Sequence, residues 1–225
     1  MSKILSLGYI GYDVTDLAAW HDFLTGLYAL QAREERSRGV RRYRVDHRHH
    51  RISVHAAKAD RVRRIGWEVA DRDALAAVRA RLEDHGVKTR AGTAAQAAER
   101  AVLEFFAFSD PDGHPMEVFC CAVDDTAPFR PARPHAGFVT GEGGLGHVVL
   151  HYRDVDAAAA WYQSVLGFAV SDYIYWDEAR ATFMHCNPRH HSLALVNECF
   201  GLKGGDFNHL MLEAREMNDV GRAWD

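Results

Sequence analysis

The sequence predicts an α+β protein made by duplicating one unit: a strand, a helix and several further strands. Three observations predict it. Residues 7–27, LGYIGYDVTDLAAWHDFLTGL, and residues 145–168, LGHVVLHYRDVDAAAAWYQSVLGF, share one plan. A second pair, IGWEVADRDALAAV at 65–78 and FNHLMLEAREMNDV at 207–220, falls in nearly the same register. Between the copies lies DDTAPFRPARPHAGFVTG (124–141), where Pro128, Pro131 and Pro134 disfavour a helix or a central strand.

Each unit opens with Leu-Gly and a short apolar strand, then an Asp-containing turn, then a helix carrying a Trp. In the first copy Trp20, Phe23, Leu24 and Leu27 follow the i, i+3, i+4, i+7 spacing of one buried helical face. In the second, Ala157, Ala160, Trp161, Ser164, Val165 and Phe168 keep that period. Trp161 follows Trp20 by 141 positions, but His147 follows Tyr9 by only 138, so the second copy has three extra residues in the turn. VDHRHHRISVH (45–55) reads as a solvated hairpin tip between two strands, with adventitious metal binding as the lesser alternative. In the later match a strand runs into a helix whose buried stripe is Leu75, Val78 and Leu82. SDPDGHPMEVF (109–119) is a loop, a tight turn through Asp110-Pro111-Asp112-Gly113, and a strand that sets Glu117 among apolar residues. The expected division is residues 1–123, a linker at 124–140, and residues 141–225. Glu117 has its counterpart near position 259, so the chain ending at Asp225 reads as a fragment whose second unit is truncated.

Bulk properties narrow the function. The chain has 225 residues, 48% hydrophobic and 26% charged, with a formal net charge of −4 and a pI near 6.4. Neither nucleic acid nor an anionic membrane is expected as a partner. No apolar run reaches a membrane span and no signal peptide opens the chain. Cys120, Cys121, Cys186 and Cys199 form no CxxC pair, which suits reduced thiols in the cytoplasm. GEGGLGH (141–147) has glycines but no Lys-Ser/Thr and leads into a strand, a weak phosphate signal.

The candidate chemistry lies in copy two. His147 sits in strand LGHVVL, His209 in FNHLML, and His191 opens HSLALV. Copy one carries Tyr9 opposite His147 and Trp67 opposite His209, so aromatic packing in one copy is replaced by imidazoles in the other. Adjacent strands could aim both rings at one face. With a Glu near 259 they would make two His and one carboxylate, a set that suits non-heme Fe(II) with open positions. Glu213 is excluded as that carboxylate. It lies four residues from His209, about 13 Å at about 3.3 Å per residue, too far to share one ion. Glu117 reads as a relic or a structural carboxylate pairing with its adjacent turn.

GLGHVVL, a helix ending in LGF, FMHCNPRHHSLAL, FNHLMLE, a DVGRAWD helix, SDPDGHPMEVF and the lead-in FVTGEGGLGH together resemble the type I extradiol ring-cleavage dioxygenases of the vicinal-oxygen-chelate superfamily, above all the 2,3-dihydroxybiphenyl 1,2-dioxygenase group. The resemblance implies tandem βαβββ modules in two domains of incomplete β-barrel type. The N-terminal domain would bind no metal and the C-terminal one would be catalytic. It implies that His147 and His209 ligate Fe(II), with Mn(II) sharing the ligand set, and that His191 is the acid–base residue, titrating near working pH. His190 is a substitute acid that strand alternation does not exclude. Val149 and Phe183 would line the ring pocket. The third ligand, a Glu, would lie past Asp225, and without it weak iron binding and an inactive fragment are expected. The implied reaction is meta cleavage by dioxygen of a catechol, 3-substituted or bicyclic such as 2,3-dihydroxybiphenyl, in a homo-oligomer. The competing readings are a glyoxalase-type isomerase on the same scaffold and a non-catalytic protein that binds aromatic ligands.

Overall fold

A computed structural model describes residues 3–33 and 39–224. The first unit contains β1 (Ser6–Val14), α1 (Leu17–Asp22), β2 (Gln31–Ala32), β3 (Val40–Arg44) and β4 (Ile52–Ala56). It continues with β5 (Arg61–Val69), α2 (Arg72–Asp84), β6 (Arg90–Ala91), α3 (Ala94–Arg100), β7 (Val102–Ser109) and β8 (Pro115–Ala122). The second unit has β9 (His147–Tyr152), α4 (Val155–Trp161), β10 (Ala169–Trp176), β11 (Ala179–His185), β12 (Leu193–Asn197), β13 (Phe207–Met211) and α5 (Met217–Trp224).

These elements form two sheets, ordered β2-β3-β4-β1-β5-β8-β7-β6 and β10-β11-β12-β9-β13. The pattern is modular. The first and last strands of a module pair in parallel: β1 with β4, β5 with β8, β9 with β12. The first strands of successive modules pair antiparallel: β1 with β5, β9 with β13. This is the tandem βαβββ architecture, and neither sheet closes into a barrel.

The Asp-containing turns are helix N-caps. Asp16 accepts from the amides of Ala18 and Ala19 at 2.9 Å, and Asp154 from Ala157 at 3.0 Å. Helix α2 buries Leu75, Val78 and Leu82 as the spacing predicts. The Trp helices depart from expectation. Both α1 and α4 run into a π-helical turn, Phe23–Leu27 and Tyr162–Leu166. In the first, Leu24 is buried but Phe23 is 45% exposed. In copy two the buried residues are Val155, Ala158, Ala159, Tyr162, Val165 and Leu166, whereas Ala157, Ala160 and Ser164 face out. The short helix α3 was not anticipated from the repeat; Thr93 and Gln96 form a capping box at its start.

The histidine-rich tip is not solvated throughout. Asp46, His50 and Arg51 are buried, and Arg51 pairs with Asp46 at 2.6 Å while donating to the Gly8 carbonyl at 3.0 Å.

One buried cluster runs through both units. Trp67 meets Phe168 edge-on with ring centroids at 5.1 Å, and Tyr12 meets Phe207 at 5.9 Å. The other face of each sheet holds a cluster of its own. In the first sheet that face is filled by Tyr9, Phe105 and Phe119. In the second it carries small residues: Val149, Ala179, Ala181, Ala194 and Val196, with Phe183 beside them. Bulky rings fill this face in the first sheet, and short side chains occupy it in the second.

Candidate active site

The antiparallel ladder between β9 and β13 sets the geometry. His147 opens β9 and is buried, and His209 lies opposite Val149. Gly146 makes the approach feasible. A Cβ there would stand 1.9 Å from the Met211 carbonyl oxygen, so only glycine lets β13 come this close to the start of β9. The register then steps from Phe207 opposite Leu150 to His209 opposite Val149, which leaves Asn208 as an extra, bulged residue.

The result is convergence. The Nε2 atoms of His147 and His209 are 3.4 Å apart. Two nitrogens bound to one ion at about 2.1 Å, with an angle of about 90–110° between them, stand about 3.0–3.4 Å apart. The pair therefore fits a single divalent cation. Both rings are neutral, as ligands must be. Burial, with the adjacent His191, His209 and Arg189, pushes His147 down to about 3. Burial also lowers His209. The Nδ1 of His147 is buried without a hydrogen-bond partner. No group of three His, Cys, Asp or Glu side chains converges to hold an ion among the described residues.

His191 joins this pair. Its ring lies 4.0 Å from His147 and 4.6 Å from Phe183, centroid to centroid, so the three side chains share one face with Val149. The expectation that His191 titrates near working pH is corrected. Burial, then His190 and Arg189, push it down to about 4, and it is neutral at pH 7. His190 is exposed, with its Nδ1 2.9 Å from that of His191.

Sequence reasoning passed over the residues that hold this loop. Asn187 accepts from the Arg189 amide at 3.0 Å and donates to the Leu5 carbonyl at 3.1 Å. Arg189 donates to the carbonyls of Gly143 at 3.2 Å and Val139 at 3.1 Å, and pairs with Glu213. Glu213 is thus committed to Arg189, in line with its exclusion as a ligand. Asn-Pro-Arg ahead of two histidines was the available signal.

In the first unit Glu117 is a structural carboxylate. Ladder positions show that the residue equivalent to His209 is Arg64, which pairs with Gly11 as His209 pairs with Val149. Trp67 faces the opposite side, into the main core. The two ladders run in step here, Tyr9–Gly66 matching His147–Met211, so the alignment that set Trp67 opposite His209 was three residues out, and an odd shift selects the wrong face. Glu117 does not bond its own turn. It accepts from the Tyr9 hydroxyl at 2.6 Å and from Arg100 at 2.6 and 2.7 Å, and Arg64 pairs with Glu99 at 2.8 Å. Guanidinium groups supply the positive charge that an ion would bring in the second unit. Glu117→Gln should leave metal binding unchanged by titration calorimetry. It should lower unfolding stability by about 3 kcal/mol, because Arg100 loses its buried partner.

Comparison with known proteins follows this geometry. Residues 144–225 match the model of the glyoxalase/bleomycin resistance protein/dioxygenase superfamily, and residues 7–56 match the first domain of dihydroxybiphenyl dioxygenase BphC. The chain is 40% identical over 229 residues to a biphenyl-2,3-diol 1,2-dioxygenase of Paraburkholderia xenovorans, covering 99% of this chain and 76% of that protein. It is 39% identical to a 1,2-dihydroxynaphthalene dioxygenase of Pseudomonas putida, covering 98% and 75%. A crystal structure of BphC, described as a halotolerant catechol dioxygenase, superimposes with a TM-score of 0.92 at 32% identity, over 99% of this chain and 74% of that one. Duplicated modules, paired imidazoles on adjacent strands and likeness along nearly the whole chain establish that this protein belongs to the glyoxalase/dioxygenase superfamily, in its group of extradiol ring-cleaving dioxygenases.

Proposed function

We propose that this protein opens the ring of a bicyclic or 3-substituted catechol, such as 2,3-dihydroxybiphenyl, by meta cleavage with dioxygen. The observation that carries this reading is the 3.4 Å separation of the two Nε2 atoms above an apolar face of small residues. His147 and His209 would hold the metal, Fe(II), with Mn(II) suited to the same nitrogens. Such a metal would bind the diol, lower the pKa of its hydroxyl and activate dioxygen.

The chain's own residues do the rest. Val149 and Phe183 give the flat ring apolar contact. His191 enters neutral, so it first accepts a proton from a substrate hydroxyl and then, as an imidazolium, returns it to the oxygen released when the O–O bond breaks. A fixed neutral base beside the ligand pair also spares the reaction a bimolecular encounter with solvent acid. The exposed aromatic edge Tyr173–Trp176 on β10 supports self-association into a homo-oligomer. Free cysteines among the described residues favour the cytoplasm, and no helix among them is long and apolar enough to cross a membrane.

The test is aerobic incubation of the chain with Fe(II) and 2,3-dihydroxybiphenyl, read as a yellow ring-opened product. His191→Gln should keep metal and diol binding and lose about 10²–10⁴-fold in turnover. Diol binding without any colour, at an Fe(II) concentration where calorimetry shows the site filled, would instead favour a non-catalytic aromatic-binding protein. Normal turnover by His191→Gln would remove this residue from the reaction.

A further inference from the structure

We propose that Asn208 and His151 form a hydrogen-bonded relay that holds His209 in the one tautomer able to bind a metal. The role of this tautomer rests on the metal site assigned above.

The relay starts at a group with no freedom. The backbone carbonyl of Asn197 can only accept, and His151 Nδ1 lies 2.8 Å from it. That nitrogen carries the proton, so Nε2 of a neutral His151 offers a lone pair. Asn208 Nδ2 stands 2.9 Å from that Nε2 and donates to it. The amide is thereby oriented, and its Oδ1 turns to His209 Nδ1 at 2.8 Å. The oxygen can only accept, so His209 keeps its proton on Nδ1 and presents a bare Nε2 toward His147. One backbone carbonyl thus dictates, through two side chains, which nitrogen of His209 is free.

The fold is arranged for this. In a regular strand Asn208 and His209 would point to opposite faces. The bulge at Asn208 breaks the alternation and lets its side chain reach both His209 and His151. His151 is fully buried on β9, four residues past His147, and no step of the proposed reaction uses it. A polar ring at such a depth is costly unless satisfied, and here both nitrogens are. Outer partners of this type orient metal-binding imidazoles. Asn208 and His151 are positioning residues, since they act on the ion only through His209.

The test reads the tautomer directly. In the metal-free chain, two-bond ¹H–¹⁵N correlation spectra should show His209 protonated at Nδ1. Asn208→Ala should move the proton toward Nε2 and lower Mn(II) affinity by about 10–100-fold. Asn208→Asp keeps the acceptor and should preserve both the tautomer and the affinity. His151→Gln keeps an acceptor for Asn208 and should behave like the parent, whereas His151→Leu should behave like Asn208→Ala. That second pair carries the same comparison should Asn208→Ala fail to fold. An unchanged His209 tautomer in Asn208→Ala or in His151→Leu would overturn the relay, whatever happens to metal affinity. Absence of Mn(II) binding in the parent chain would strike the metal-site reading instead, and the tautomer measurement would still decide the relay.

Discussion

Replacing His147 or His209 with alanine is expected to abolish divalent-metal binding and, with it, ring cleavage. Two nitrogens at a 3.4 Å spacing act as one chelating unit, so removing either leaves a single imidazole of ordinary weak affinity. The loss should exceed the about 10–100-fold cost of removing an outer partner. Titration calorimetry with Mn(II) or anaerobic Fe(II) measures it, and circular dichroism checks that the fold persists. Saturable binding of undiminished affinity in both variants would refute the shared site. His191→Gln is the informative contrast, because that ring lies against His147 without belonging to the ligand pair, and it should lose rate while keeping metal.

Asp110→Ala should be strongly destabilising although it lies outside the site. Asp110 belongs to the loop before β8, yet its carboxylate accepts hydrogen bonds from Tyr152 at 2.7 Å and Tyr162 at 2.9 Å, both in the other unit. His114 Nδ1 lies 2.9 Å from the same oxygen. The two sheets are therefore locked together through one buried anion. Alanine would take the shared acceptor from an imidazole and from two buried hydroxyls, which keep only each other at 3.1 Å, at a cost of about 3 kcal/mol. For a chain of this size that corresponds to a fall in Tm of about 6–12 °C. Asp110→Asn should cost less, since an amide oxygen can still accept. Burial raises the Asp110 carboxyl, but the His114 and Tyr152 hydrogen bonds outweigh it and hold it below the usual carboxylate value. The lock should therefore contribute fully above the unfolded carboxyl pKa and weaken as pH falls through the lower, folded one. Thermal melts of parent and Asp110→Asn across acidic pH check the sign: the gap between them should narrow on acidification.

Much of this molecule was legible in one dimension. The duplication, the apolar strand that opens each copy and the helix stripe of Leu75, Val78 and Leu82 follow from local pattern, because a strand alternates every second residue and a helix returns every third or fourth. What escaped was phase and alignment. The buried stripe of α4 runs through Val155, Ala158, Ala159 and Tyr162, one position away from Ala157 and Ala160. The true counterpart of His209 is Arg64, three positions before Trp67. An odd shift along a strand turns the other face of the sheet to view, and a weak repeat with turns of unequal length does not fix it.

The order of amino acids by itself determined that the chain is a repeated α+β unit, that its two halves differ in chemistry, and that imidazoles stand where the other half has none. Only the tertiary structure decided that Glu117 serves Tyr9 and Arg100, that Asp110 joins the two sheets, that His191 is neutral, and that Asn208 and His151 stand behind His209. The reason is distance along the chain. Burial, charge neutralisation and proton placement depend on partners tens to more than a hundred residues away, which come together only once both sheets have closed on their shared core.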